Sequence, residues 1–305
     1  MCKLQQDRLS LLGIPITDML QEHCDVLVDA VFGTGIRGSL DSEMSALIER
    51  MNAVQGYKIA CDIPSGLNEF GIPSPVAFRA DETCTMGALK TALYADAAKD
   101  YTGAIYVCNL GLPRRCYEGE TGTFLLSVED MKLPHRSVQN THKMSYGHGL
   151  FFCGEKTGAC MLAASAALHF GIGLVTVFGE PVPAAPFDFM YTLQLPENFS
   201  ASMVGSGLGR NSDTQAQALG FLSQELVRER PLILDADILH NPKLPTLLSL
   251  FKAPILTPHP KEFQSLLANS GLAQVSVVEI QEHRFEYLRL FCGAFPQAVI
   301  VLKGA

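Results

Sequence analysis

Short apolar runs alternate along the chain with longer stretches in which apolar positions recur at helical spacing. That alternation predicts strands followed by helices, and hence parallel sheets. The first run, Val26 to Phe32, is interrupted by one carboxylate, Asp29, and stops at Gly33, Gly35 and Gly38. It predicts a buried parallel strand over 25–32 with a glycine loop at its C-terminal end. Met44, Leu47, Ile48 and Met51 share one helical face, which predicts a helix over 41–52 starting at Asp41 or Ser42. YKIACD predicts a strand over 57–62, a loop follows through Pro75, and ETCTM reads as a further strand. A helix near 90–99 and a strand in TGAIYVCNLG complete the first series. Ahead of it, residues 1–24 give a short amphipathic segment with a turn at Gly13.

Residues 114–139 are polar and turn-rich, so the division falls there and predicts domains 1–130 and 140–305. A second alternation starts at Gly147: a strand to Cys153, a helix over 158–170 and a strand over 172–178. Residues 179–200 are proline-rich and read as irregular. MVGSGLGRN is a strand opening into glycines, followed by helix 213–229, strand LILDAD, helix 245–251 and strand PILT. KEFQSLLANSG predicts a helix closed by Gly271; helix 279–292 and strand AVIVLKG come last. Ligand sites are expected at the C-terminal ends of these strands.

Hydrophobic content of 48% and charged content of 18% place the chain among globular proteins. The net charge of -8 and the lack of a Lys/Arg run argue against nucleic acid as the main partner. A small anion held by backbone amides remains compatible. The nine cysteines form no CxxC pair, which predicts reduced thiols and a cytoplasmic location. No signal peptide opens the sequence. The longest apolar stretch, 159–178, is broken by Ser165, His169, Gly171 and Gly173, so no membrane partner is expected.

The chemistry-bearing residues cluster at predicted strand ends. Gly33, Gly35 and Gly38 have the GxGxxG spacing, which suits either a phosphate approached by backbone amides or a structural turn. An ordinary dinucleotide fingerprint starts its helix inside the glycines and places an acidic residue about 20 residues on. Here the helix starts later and Asp62 lies too far along, so a different kind of phosphate loop is expected. Asp62 serves as a base or as a cap for backbone amides. Asp29 is a carboxylate inside a strand, compensated by a cation shared with Ser65 or by a hydrogen bond from a neighbouring loop. In the second half, Gly205, Gly207 and Gly209 precede the helix-start cluster Asn211-Ser212-Asp213. Asp235 and Asp237 are expected to share one face of a strand end, for metal-water or phosphate chemistry or for capping. His259 sits between two prolines, and Lys303-Gly304 closes the last strand, where a nucleotide phosphate would meet them.

Taken together, these motifs resemble the bifunctional NAD(P)H-hydrate repair enzymes, in which an epimerase domain is fused to an ADP-dependent dehydratase domain. The N-terminal match is VDAVFGTGIRG, CDIPSGLNEFG, ADETCTMGALK and YTGAIYVCNLGLP. The C-terminal match is HKMSYG, TGACMLAASAALHFGIGLVTV, VGSGLGRN, LDADILH, TPHPKEF and VLKGA. The resemblance implies an α/β protein of two three-layer domains, Rossmann-like and then ribokinase-like. It implies an isomerase that interconverts the R and S hydrates of NADH and NADPH, NADHX and NADPHX. It also implies a lyase that uses ADP and magnesium to phosphorylate and eliminate the hydroxyl of the S form. On the same grounds Asp29 and Ser65 match potassium ligands, and Asp62 a catalytic residue. Gly33, Thr34, Gly35, Ile36, Arg37 and Gly38 match hydrate-binding positions of the epimerase, with Lys90 as a further site residue. Gly207, Gly209 and His259 match hydrate-binding positions of the dehydratase, and Lys303 and Gly304 the start of its ADP-binding stretch. The partners implied are the hydrates and ADP, with a homo-oligomer left open.

The sequence departs from the family pattern in four places. The family's upstream Asn-Asn-Gly-Gly-Asp-Gly loop and downstream Gly-Thr-Gly-Asp segment lie outside the chain, which is therefore expected to be short at both ends. Met144 and Ser145 replace Gly-Asp of the usual HKGDYG opening, and His240 replaces an asparagine. Two other readings remain: a ribokinase-type small-molecule kinase, and a non-catalytic nucleotide-binding fragment or pseudoenzyme.

Overall fold

Two separate parallel sheets organise the chain, one of four strands and one of seven. The computed structural model describes residues 2–35, 38–117, 119–179 and 188–304. Within it the chain divides into two compact units, Met1–Phe124 and Leu125–Ala305.

The first unit opens with α1 (Cys2–Leu11), exposed from Lys3 onward. Next come β1 (His23–Asp29), α2 (Ser42–Ala53), β2 (Gln55–Cys61), β3 (Glu82–Met86), α3 (Lys99–Thr102) and β4 (Ala104–Cys108). The four strands lie in chain order, all parallel. α2 begins where expected, because the Asp41 carboxylate accepts the Met44 N–H at 2.8 Å and satisfies one of the orphan amides of the first turn. Its buried residues Ile48 and Met51 meet Ala60 of β2 and Phe78. Each such side chain contributes about 1.5–3 kcal/mol by leaving water.

Two expectations change here. β1 ends at Asp29 and is not a buried strand: Val26 and Val28 are each 50% exposed. The strand pairs only with β2, and its outward face, continued by Tyr57, Met86 and Tyr106, is open among the described residues. The helix near 90–99 is instead two 3-10 turns, Thr91–Tyr94 and Asp96–Ala98, running into α3. Extended backbone at Ala95 separates them and lets Leu93 and Ala98 reach the same small core.

The second unit contains β5 (His148–Phe152), α4 (Thr157–Phe170), β6 (Leu174–Phe178), β7 (Met190–Thr192) and β8 (Ala201–Val204). It continues with α5 (Ser212–Leu222), α6 (Glu225–Arg228), β9 (Leu232–Leu234), α7 (Leu244–Leu248) and β10 (Pro254–Leu256). α8 (Pro260–Asn269), α9 (Val277–Glu282), α10 (Arg284–Ala294) and β11 (Val299–Ile300) end it. The sheet order is β11-β10-β9-β8-β5-β6-β7, parallel throughout. All five residues of β5 are buried, as a central parallel strand requires. Leu150, Val204, Leu234 and Leu256 from four strands meet Phe263 and Phe291 from the helices in the main core.

Strand β7 falls inside the stretch expected to be irregular; it is short and, among the described residues, pairs only with β6. The helix expected over 213–229 breaks at Gln224, whose backbone is extended, and the one over 279–292 breaks at His283. No helix among the described residues is long and apolar enough to cross a membrane.

Candidate functional site

The order of the seven-stranded sheet locates the site of the second unit. From β5 the chain moves outward through β6 and β7, then returns to β8 on the other side of β5. The connections leaving β5 and β8 therefore run in opposite directions, which makes their carboxyl ends the switch point of the sheet. They also lock together. Lys156 donates its N–H to the Gly207 carbonyl at 2.8 Å, Glu155 to that of Leu208 at 3.3 Å, and Asn211 to the Glu155 carboxylate at 2.8 Å. Gly207 and Gly209 both have positive φ, +68° and +84°. A Cβ would overlap the Lys156 backbone carbonyl at the first, so glycine is needed there for conformation and for space; at the second the positive φ requires it, while the Glu155 carboxylate lies against the open Cβ position. The structure thus places both predicted glycines at the switch point.

The next loops supply charge. β9 stops at Leu234, and Ala236 takes a left-handed φ of +53°, opening a 3-10 turn over Ala236–His240. Asp235 and Asp237 consequently do not share a face, contrary to the strand reading. Asp235 accepts from Thr257 Oγ1 at 2.7 Å, Lys303 Nζ at 2.9 Å and Ser206 Oγ at 3.1 Å. Burial would raise its pKa, but the Thr257 and Lys303 hydrogen bonds and the lysine charge hold it below the ordinary value. Asp237 instead accepts the Gly209 N–H at 2.9 Å. Lys303 is thereby drawn over β9, while its backbone N–H bonds the Pro258 carbonyl. Gly304 follows it, exposed.

His259 caps a helix. Its Nδ1 accepts the N–H groups of Lys261 (3.1 Å) and Glu262 (3.4 Å), and Glu262 returns a bond to the His259 N–H at 2.9 Å. The ring caps α8, with Pro260 at the first helical position. Nδ1 carries the lone pair, so the other ring nitrogen holds the proton and faces Glu262 at 3.0 Å.

In the first unit the predicted residues gather at the carboxyl edge of β1–β3. Asp29 is fully buried. Ser65 donates its N–H to Asp29 Oδ2 at 2.7 Å and its hydroxyl to Oδ1 at 2.6 Å, while Phe32 N–H reaches the Ser65 hydroxyl oxygen at 3.0 Å. Burial pushes the Asp29 carboxyl up despite these bonds. Asp62 holds a φ of +75°, rare for a residue with a Cβ. It pairs with Lys90 at 2.6 Å and accepts the Met86 N–H at 3.1 Å. The Thr34 N–H of the glycine loop also reaches it. Burial opposes ionisation, but the Lys90 hydrogen bond, the Met86 amide and the Lys90 charge win and lower its pKa. Gly33 lies against it, since a Cβ there would stand 3.2 Å from Asp62 Oδ2. Gly35 and Gly38 are unobstructed; Ile36 and Arg37 lie outside the described residues.

Sequence reasoning missed Ser206 and Thr257, which fix Asp235, and Glu155, which clasps the glycine loop. Ser206 sits inside VGSGLG and Thr257 just after β10, so their positions at strand ends were the available signal.

The chain belongs to the NAD(P)H-hydrate dehydratase family, whose profile matches residues 150–305, more than half of the chain. Residues 1–92 match the profile described as the YjeF-related protein N-terminus. The bifunctional NAD(P)H-hydrate repair enzyme Nnr of Helicobacter pylori is 38% identical, covering 100% of this chain and 65% of that protein. The Coxiella burnetii enzyme of the same name is 34% identical over 95% of this chain and 61% of its own length. The chain therefore spans less than two thirds of either relative. A Bacillus subtilis ADP/ATP-dependent NAD(P)H-hydrate dehydratase structure is 29% identical, with a TM-score of 0.43, covering 56% of this chain and 62% of that one.

Proposed function

We propose that the chain acts in nicotinamide nucleotide repair, the first unit interconverting the R and S hydrates of NADH and NADPH, the second dehydrating the S hydrate. The observation that carries this reading is the clasp of the Gly205–Arg210 loop on Glu155 and Lys156 at the switch point, inside the family-matched region. In the second unit, Gly207 and Gly209 offer backbone to the hydrate, and Lys303 and Gly304 meet the phosphates of ADP. The terminal phosphoryl group of ADP passes to the hydrate hydroxyl, leaving AMP. The phosphate then departs as a ring proton is lost, restoring the dihydronicotinamide. The described residues hold no group of three His, Cys, Asp or Glu side chains placed for a metal, so magnesium would arrive with the nucleotide phosphates. His259 positions the start of α8.

In the first unit, Asp62 and Lys90 form the acid-base pair, with Asp62 ionised and ready to accept a proton and Lys90 ready to return one. The amides of the Gly33–Gly38 loop hold the dinucleotide. Asp29 and Ser65 suit potassium: both present oxygen, and the buried Asp29 charge has no cationic side chain paired with it among the described residues. The ion would supply that counter-charge.

The test supplies the 305-residue chain with mixed NADHX epimers and magnesium, with and without ADP, and follows recovery of NADH absorbance. ADP-dependent recovery of both epimers is expected. Recovery of neither, in this chain or in a length-extended form of it, overturns the reading.

A further inference from the structure

Beside the glycine loop of the second unit lies a cavity of about 380 Å³ lined by Arg210, Gln215, Asp237, His240, Asn241 and Pro242. Its polar walls are fixed by the protein. Gln215 bonds the Gly209 carbonyl through Nε2 at 2.7 Å and receives Asn241 Nδ2 on Oε1 at 2.7 Å. Asp237 spends only Oδ2, on the Gly209 N–H. His240 Nδ1 meets Ser265 Oγ at 2.8 Å, and that hydroxyl donates to the Lys261 carbonyl at 3.2 Å. The serine proton is thus committed, which assigns the tautomer with the proton on Nδ1 and the lone pair on Nε2.

Three groups remain without a protein partner among the described residues: Asp237 Oδ1, His240 Nε2 and the Arg210 guanidinium. Two are acceptors and call for hydroxyl donors, while the third calls for an anion. A sugar phosphate carries both. The left-handed Ala236 backbone leads into Asp237, which lines the cavity while its Oδ2 accepts the Gly209 N–H.

We propose that this cavity seats a ribose phosphate unit, its hydroxyls on Asp237 and His240 and its phosphate on Arg210. It deepens the repair reading, on which the identity of the complete dinucleotide substrate rests. His240, where the family usually has asparagine, then widens the acceptor surface offered to the ribose.

Calorimetric titration of the 305-residue chain with D-ribose 5-phosphate, D-ribose and inorganic phosphate tests this. Ribose 5-phosphate is expected to bind about tenfold tighter than either fragment. Arg210→Ala, at an exposed position, is expected to remove that advantage and leave D-ribose binding unchanged. Asp237→Asn keeps an acceptor for Gly209 and is expected to weaken both sugars about tenfold. Absence of saturable binding at millimolar ribose 5-phosphate, or binding indifferent to Arg210→Ala, overturns the proposal. The hydrate assay separates the two readings. Sugar phosphate binding as stated without hydrate turnover retains the cavity and removes the repair function. Hydrate turnover with an unchanged KM in Arg210→Ala and Asp237→Asn retains the function and removes the cavity.

Discussion

Ser65 closes on Asp29 twice, through its backbone N–H at 2.7 Å and its hydroxyl at 2.6 Å, tying the loop after β2 to the end of β1. Asp29 has lost all contact with water, so each of these bonds replaces hydration. Ser65→Ala deletes one donor and leaves Oδ1 with only the longer bond from Val31 N–H, at 3.2 Å. A loss of about 2 kcal/mol in stability is expected by denaturant unfolding. If the pair also holds potassium, exchanging sodium for potassium raises the melting temperature of the parent chain and not of the variant. Equal responses in both would remove these residues from any potassium site.

Lys90 and Asp62 give a prediction on activity and one on pH. Lys90→Ala is expected to lower epimerisation about 100-fold or more and to leave ADP-dependent consumption of the S hydrate intact. The folded-state pKa of Asp62 lies below its ordinary 3.8. The pair therefore contributes its stability above pH 3.8, and loses it as pH falls below that value through the folded pKa. Acid unfolding curves of parent and Lys90→Ala are expected to differ above pH 3.8 and converge below it. Curves that stay parallel would assign the low pKa to something other than Lys90.

What could be read in advance, and what could not, follows from range. Asp41 as a cap, Pro260 at a helix start and Gly271 after a helix end are local signals, and each was legible. The strand ending at Cys153 was legible too, and its complete burial follows from its central place in the parallel sheet. Val26 and Val28 misled, since the same run on an edge strand with an open face stays exposed. The separation of Asp235 from Asp237 depends on a single positive φ at Ala236, and alanine gives no warning of it. The meeting of Glu155 with Asn211, and of Asp235 with Lys303, depends on strand order, which no local pattern encodes.

The Lys303–Asp235 pair is partly exposed, and its role is tested by separating stability from turnover. A half-exposed ion pair contributes at most about 1 kcal/mol, so Lys303→Met is expected to unfold within that margin of the parent. ADP-dependent dehydration is expected to fall about 100-fold, since a charged contact to the transferring phosphate is lost. Epimerisation should not change. The folded pKa of Asp235 also lies below 3.8, so the stability the pair does contribute persists above that pH and is lost below it. Unchanged dehydration in Lys303→Met would remove the lysine from the ADP site.

Glycines at different places in the second unit give opposite signs for one substitution. Gly205 ends β8 with a φ of +123°, and a Cβ there would overlap the Asp235 carbonyl oxygen, a backbone atom that cannot swing aside. Gly220 lies within α5, exposed, with nothing within 4 Å of its Cβ position. Gly220→Ala is expected to stabilise by about 0.5–1 kcal/mol, since alanine restricts the unfolded chain and favours the helix. Gly205→Ala is expected to destabilise by about 2 kcal/mol or more through left-handed strain and displacement of the Asp235 segment. Because Asp235 also anchors Lys303, dehydration in Gly205→Ala should fall further than the folded fraction does. Urea unfolding of both variants, with activity per folded molecule, checks the pair. A Gly205→Ala chain as stable and active as the parent would mean that the loop yields where its geometry says it cannot.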